Sequence, residues 1–145
     1  MVDFETYTRR SPFLRVARFI RRELDERYGH FLFRHYLTAY GKFCFLAMDG
    51  EDVVGAVLCV VAEREGYIPM LVVRGCFQRR KIGSTLLFMA LNRMHRSGVV
   101  CVTLEVMATN RAAVGMYQKS GFFPVEYLPD HYGANEDGYK MQILF

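Results

Sequence analysis

Ile82, Leu86, Ala90 and Met94 fall at intervals of four in a 145-residue chain, with Leu87 and Leu91 beside them, and the block sits between two runs of strand-forming residues. A four-residue interval stacks apolar side chains along one stripe of an α-helix. The run before it, Tyr67 to Val73, is almost wholly apolar. The run after it, Val99 to Val106, alternates, with Val100, Val102 and Leu104 on one face and Cys101, Thr103 and Glu105 on the other. Strand, helix and strand in succession commit this half of the chain to an α/β arrangement, and the alternation leaves Glu105 as a lone carboxylate on its face.

The remaining segments extend that unit. Ser11-Pro12 reads as a helix cap followed by a first-turn proline, and Phe13, Val16, Ala17, Ile20 and Leu24 recur at helical spacing with arginines opposite. Asp25 to Gly29 ends this helix, and a second runs from about Phe31 to Ala39 before Gly41. Phe43 to Met48 and Val53 to Ala62 flank Asp49-Gly50 and predict an antiparallel hairpin. Pro69 offers no N–H to a ladder, so the strand that contains it should be bulged or locally unpaired there. Asn110 predicts the cap of a helix closed by Gly121, after which Phe122 to Val125 and Tyr139 to Phe145 complete a mixed sheet. No linker or repeat interrupts the chain, so residues 1–145 form a single domain.

Composition narrows the partners. With 52% hydrophobic and 14% aromatic residues the chain can bury a continuous core, which excludes disorder. The longest apolar stretch, Val53 to Ala62, is about half of a membrane span, and no apolar run follows the N-terminal charges as a signal peptide would require. Cys44, Cys59, Cys76 and Cys101 fit neither paired metal ligands nor a disulfide framework, and the four histidines form no HExxH-like set. A reducing interior with core thiols and no metal is the expectation. The net charge of +4 is unevenly spread. Residues 74–96 hold Arg74, Arg79, Arg80, Lys81, Arg93 and Arg96 and no acid, a local excess of six positive charges of which the first four stand beside the start of the central helix. Orphan N–H groups and the helix dipole make such a start an anion site, and Gly83 removes a side chain where an anion would approach. The alternative is a solvated basic helix end. GxxxxGK[ST] is absent, so this is no Walker loop.

The segment Gln78-Arg79-Arg80-Lys81-Ile82-Gly83 resembles motif A of the GNAT acetyltransferases, [Gln/Arg]-x-x-Gly-x-[Gly/Ala], with Lys81 in place of the first glycine. CFLAMDGEDVVGAVLC, GYIPMLVV, TLEV, NRAAVGMYQKSGFF and the tail through His131-Tyr132 resemble the N-terminal protein acetyltransferases, nearest the NatC catalytic type, over residues 13–145. GYI is also similar to the NatE type. The resemblance implies a GNAT fold: a central, mixed, mostly antiparallel sheet flanked by about four helices, with a V-shaped splay between the parallel strands containing Tyr67 to Val73 and Val99 to Val106. It implies transfer of an acetyl group from acetyl-CoA, without a metal, to protein N-termini in the cytoplasm, nascent or mature, with Met followed by a bulky apolar residue as acceptor. Auxiliary subunits of a ribosome-associated complex would be further partners. A lysine or small-molecule amine as acceptor, or a non-catalytic acyl-CoA-binding subunit, stays open beside this.

Carried onto individual residues, the resemblance gives Leu71, Val72 and Val73 as the strand edge for the pantetheine arm. The loop Gln78, Arg79, Arg80, Lys81, Ile82, Gly83 and Ser84 takes the pyrophosphate, and Asn110 and Tyr117 complete the cofactor site. Lys81 either aids the phosphates or crowds them. Glu105 is the candidate base, acting directly or through a water, with Met107 where the NatC type has a second glutamate. Tyr117 is the candidate proton donor to the departing thiolate, and Tyr67 orients the amine. Each of these three has a packing or surface alternative. Tyr28, His30, His131 and Tyr132 would line the acceptor mouth, His131 replacing one tyrosine of a family pair. Acyl transfer through Cys76 or Cys101 has no Cys/His constellation to support it, and GxSxG is absent. The arginine stripe from Arg9 to Arg22 lacks the interleaved aromatics of a stacking platform, which favours a solvated face or a subunit contact over nucleic acid.

Overall fold

A computed structural model describes residues 1–23 and 30–145, with residues 30–33 described by backbone alone. The expected break from Asp25 to Gly29 lies outside the described residues. Seven strands form one sheet: β1 (Val2–Thr6), β2 (Phe45–Asp49), β3 (Asp52–Ala62), β4 (Glu65–Val73), β5 (Cys101–Met107), β6 (Phe123–Leu128) and β7 (Gly138–Leu144). Their spatial order is β1-β2-β3-β4-β5-β7-β6. The helices are α1 (Phe13–Glu23), α2 (His30–Tyr40), α3 (Ile82–Arg96) and α4 (Arg111–Lys119). All strand pairs are antiparallel except β4 with β5. The βαβ unit read from the period-four stripe is therefore the single parallel crossover of an otherwise antiparallel sheet. No described helix is long and apolar enough to cross a membrane.

Each face of the sheet carries its own core. On one face α3 brings Leu86, Leu87, Ala90 and Met94, all fully buried, onto Val57, Val102, Leu104 and Met141. On the other, Val16, Ala17 and Ile20 of α1 and Leu37 of α2 cover Leu46, Leu58, Met70 and Val72. Each of the Val, Leu, Ile and Met side chains among them contributes roughly 1.5–3 kcal/mol by leaving water. Gly66 sets how closely α3 approaches: a Cβ there would lie 2.7 Å from Met94 Sδ and 3.2 Å from Val102 Cγ2.

The β4–β5 ladder is short. It pairs Glu65 with Cys101 through Ile68 with Leu104 and then stops, while β4 continues beside β3 to Val73 and β5 beside β7 to Met107. The parting coincides with the predicted irregularity at Pro69. Val60 pairs with Tyr67 and Leu58 with Met70, so Ile68 and Pro69 together face the single residue Cys59, a bulge on β4. The two strands leave the bulge as the arms of a V.

Three local expectations change. Val100 lies ahead of β5 and is 40% exposed rather than on its inner face, its N–H bonded to the Arg64 carbonyl at 2.8 Å. The Ser11 hydroxyl accepts the Thr8 N–H at 2.9 Å, serving the preceding turn. Phe43 belongs to a 3-10 turn, Gly41–Phe43, so β2 starts at Phe45. Asn110 caps α4 as expected, its Oδ1 accepting the Ala113 N–H at 3.2 Å.

Candidate active site

The open end of the V holds two adjoining clefts. The first, about 430 Å³, runs from the inner edge of β4 (Leu71, Val73) past the loop at Gln78, Arg79 and Lys81 to the start of α3 and the exposed side of α4. The second, about 370 Å³, is bounded by Tyr67 to Leu71 of β4, Glu105 to Met107 of β5, the end of α1 and His131-Tyr132. Leu71, Asn110, Ala113 and Tyr117 line both. A group on one side of Tyr117 is thus a side chain's width from a group on the other.

The backbone of the first cleft is built for an anion. Lys81 caps α3 at φ +63° in the left-handed region and makes no side-chain cap bond, so the first N–H groups of the helix keep their donors unclaimed by a cap. Arg79 is left-handed too, at φ +64°. The position where GNAT sequences carry glycine is therefore one whose conformation favours glycine, and lysine adopts it here at a cost. Gly83 faces α4, where a Cβ would stand 3.3 Å from Met116 Sδ. Gln78 Nε2 donates to the Val73 carbonyl at 3.1 Å, tying the loop to the strand end. Two of the expected residues stand aside. Val72 sends its side chain into the α1 core, and the Arg80 guanidinium lies 5.0 Å above the Phe77 ring, outside the lining.

The second cleft centres on Glu105. The Tyr67 hydroxyl donates to Glu105 Oε1 at 2.5 Å, and His131 Nε2 stands 2.9 Å from Oε2. The β4–β5 ladder makes this possible: Tyr67 pairs with Thr103, which shares its face of the sheet with Glu105. Tyr117 is 7% exposed and meets Phe122 edge-on at 5.8 Å. Burial, and secondarily Tyr132, push its phenol up from 10.0 to about 12, so it stays a proton donor through the neutral range. Tyr28 lies outside the described residues, and of His30 only the backbone at the start of α2 is described.

Sequence reasoning missed three things here. Ala113 and Met116 join Tyr117 on the lining face of α4, which their three- and four-residue spacing signals. Glu23 reaches the second cleft from α1. The bond between His131 and Glu105 has no local signal, since the two lie on separate elements brought together by the β5-β7-β6 order. Cys44, Cys59 and Cys101 are buried, and burial pushes the Cys44 thiol up to about 12 and that of Cys59 well above its ordinary value; Cys76 is exposed.

The acetyltransferase (GNAT) family model matches residues 7–122. The chain belongs to the GNAT acetyltransferase family. It is an acyltransferase, and its similarity to N-alpha-acetyltransferases runs through most of its length. The N-alpha-acetyltransferase MAK3 of Arabidopsis thaliana is 29% identical over 148 residues, 99% of this chain and 78% of that protein. N-alpha-acetyltransferase 30 of Xenopus laevis is 32% identical over 133 residues, 88% of this chain but 49% of the frog protein, so the GNAT chain spans about half of that relative. In the crystal structure of the NatC complex bound to Gag peptide and CoA, one chain superposes with a TM-score of 0.91 at 22% identity, covering 99% of this chain and 98% of that one. The fold and the NatC-like resemblance expected from sequence are both met.

Proposed function

We propose that this GNAT chain moves an acetyl group from acetyl-CoA to the α-amino group of a protein N-terminus, preferring Met followed by a bulky apolar residue, by direct attack in a ternary complex. The observation that carries the reading is the pair of clefts with one common wall: a cation-rich cleft at a helix start and a carboxylate-centred cleft meet at Tyr117. The relatives named N-alpha-acetyltransferases, and the NatC structure with its peptide and CoA, support it.

In this reading the Leu71 to Val73 edge, left unpaired by the splay, hydrogen-bonds the pantetheine arm. N–H groups from Arg79 to Ser84 hold the pyrophosphate, and Arg79 and Lys81 offset its charge. Arg74 and Arg80 add to the local field. A free α-amino group has a pKa of about 7.7–8.0, so near neutrality a mild base suffices. Glu105 takes the amine proton, directly or through a water. Tyr67 orients the amine, and Tyr117 supplies the proton for the leaving thiolate. Tyr28, His30, His131 and Tyr132 form the acceptor mouth. The protein works in the cytoplasm, and auxiliary subunits of a ribosome-associated complex join it.

The test is acetyl-CoA consumption with peptides beginning Met-Leu, Met-Lys, Ser-Glu and Ala-Arg. Fastest turnover on Met-Leu is expected. Inactivity on all four, with acetylation of a lysine side chain or a small amine instead, refutes the reading.

A further inference from the structure

Glu105 does not stand alone in its cleft. Tyr67 occupies one carboxylate oxygen and His131 the other, and His131 is the more solvent-accessible of that pair, its side chain 36% exposed against 29% for Glu105. The imidazole sits on the β6–β7 connection, a turn that ties itself down. Asp130 N bonds Asp137 Oδ1 at 2.9 Å, Asn135 N bonds Asp130 Oδ1 at 2.7 Å, and Tyr132 N bonds the Glu136 carbonyl at 3.0 Å. Tyr127 bonds Asp137 as well. The Tyr132 ring meets the imidazole edge-on at 4.8 Å, which holds its plane. A side chain fixed this firmly, on a loop and inside a cleft, is preorganised.

With the proton of the neutral ring on Nε2, 2.9 Å from Glu105 Oε2, the lone pair is on Nδ1. Among the described residues, no hydrogen bond to Nδ1 is present. A carboxylate behind an imidazole whose second nitrogen is open is the arrangement by which a histidine accepts a proton and the carboxylate stabilises the resulting cation.

We propose that His131 takes the proton of the acceptor amine, with Glu105 as the carboxylate that orients it, an inference that rests on the second cleft being the acceptor site. The amine nitrogen forms its bond to the acetyl carbonyl carbon, and the carbon–sulfur bond breaks. One amine proton passes to His131 Nδ1, and the Tyr117 hydroxyl proton passes to the departing sulfur. Proton exchange with water returns imidazolium and phenolate to their starting forms, so the net reaction is amine plus thioester to amide plus thiol. The charged and titratable groups around the imidazole are Glu105 of β5, Tyr67 of β4, Tyr117 of α4, Glu23 of α1 and Lys140 of β7, which pairs with Glu105. Asp130, Tyr132, Glu136 and Asp137 belong to its own connection.

The decisive variant is His131→Tyr, which keeps a hydroxyl donor near Glu105 but offers no imidazole nitrogen to take the proton. With saturating acetyl-CoA and Met-Leu peptide, H131Y should lose about a hundredfold in kcat, with the KM for acetyl-CoA unchanged. His131→Ala should regain rate with added imidazole in proportion to the neutral form, a response that a structural role would not produce. Wild-type kcat in H131Y, or no response of H131A to imidazole, overturns the proposal, since Glu105 would then act without the imidazole. If the wild-type protein acetylates no peptide at all, it is the N-terminal reading that fails.

Discussion

Replacing Lys81 by glycine should make this acetyltransferase more stable. Lys81 holds φ +63° at the cap of α3. A side chain in that region crowds Cβ against the following carbonyl, a cost of roughly 1–2 kcal/mol. Glycine escapes the cost but loses more freedom on folding, about 0.4–1 kcal/mol. The lysine side chain makes no cap hydrogen bond that would be forfeited. Its carbonyl, which accepts from Thr85 N at 3.0 Å and Thr85 Oγ1 at 2.7 Å, is backbone and persists. The balance favours K81G by roughly 0.5–1 kcal/mol, or about 2–4 °C in Tm for a chain of this size. Lys81→Ala is the control, because it removes the charge and keeps the Cβ. Thermal unfolding followed by circular dichroism should rank K81G above the wild type and K81A level with it. A lower Tm for K81G would refute the strain argument, and an equal gain in K81A would assign the effect to relief of charge beside Arg79 and Arg80. If the exposed ammonium assists the phosphates, both variants should raise the KM for acetyl-CoA alike, by up to about fivefold.

Other outcomes follow from the same geometry. Glu105→Gln should lower kcat by about 10²–10⁴ in initial-rate assays with acetyl-CoA affinity unchanged, and undiminished turnover would remove the carboxylate from the chemistry. Tyr117→Phe keeps the ring against Phe122 and deletes only the hydroxyl. It should slow the chemical step in single-turnover experiments more than it weakens substrate binding, whereas a loss confined to Tm would reduce Tyr117 to a packing residue. Gly83→Asp places a carboxylate in the first turn of α3, where the helix dipole tolerates it, so the protein should stay folded while calorimetry detects no acetyl-CoA binding. Retained binding would move the pyrophosphate elsewhere.

How much of this was legible follows from the range of the interactions. The α3 stripe, the Asn110 cap and the bulge at Pro69 each depend on residues a few positions apart, and each lies where local rules put it. The left-handed cap at Lys81 was visible only as a lysine in a glycine position, because its φ is set by the loop between β4 and α3. The link from Glu105 to His131 spans 26 residues and needs β7 to insert between β5 and β6, which no periodicity encodes. Val100 misled because a strand's alternation does not say where its ladder begins, and here the first β5 partner is Cys101.

The bulge on β4 also determines what kind of genetic change this enzyme can survive. Ahead of it the even-numbered Gly66 and Ile68 face α3, and beyond it the odd-numbered Leu71 and Val73 do, with Met70 and Val72 turned to α1. The strand thus carries two reading frames of inside and outside, joined at Ile68 and Pro69. Loss of the one codon for Pro69 would merge them. Either Tyr67 turns away from Glu105, or Met70 and Val72 exchange places with Leu71 and Val73, so an in-frame deletion that removes no proposed catalytic side chain would dismantle either the site or the core.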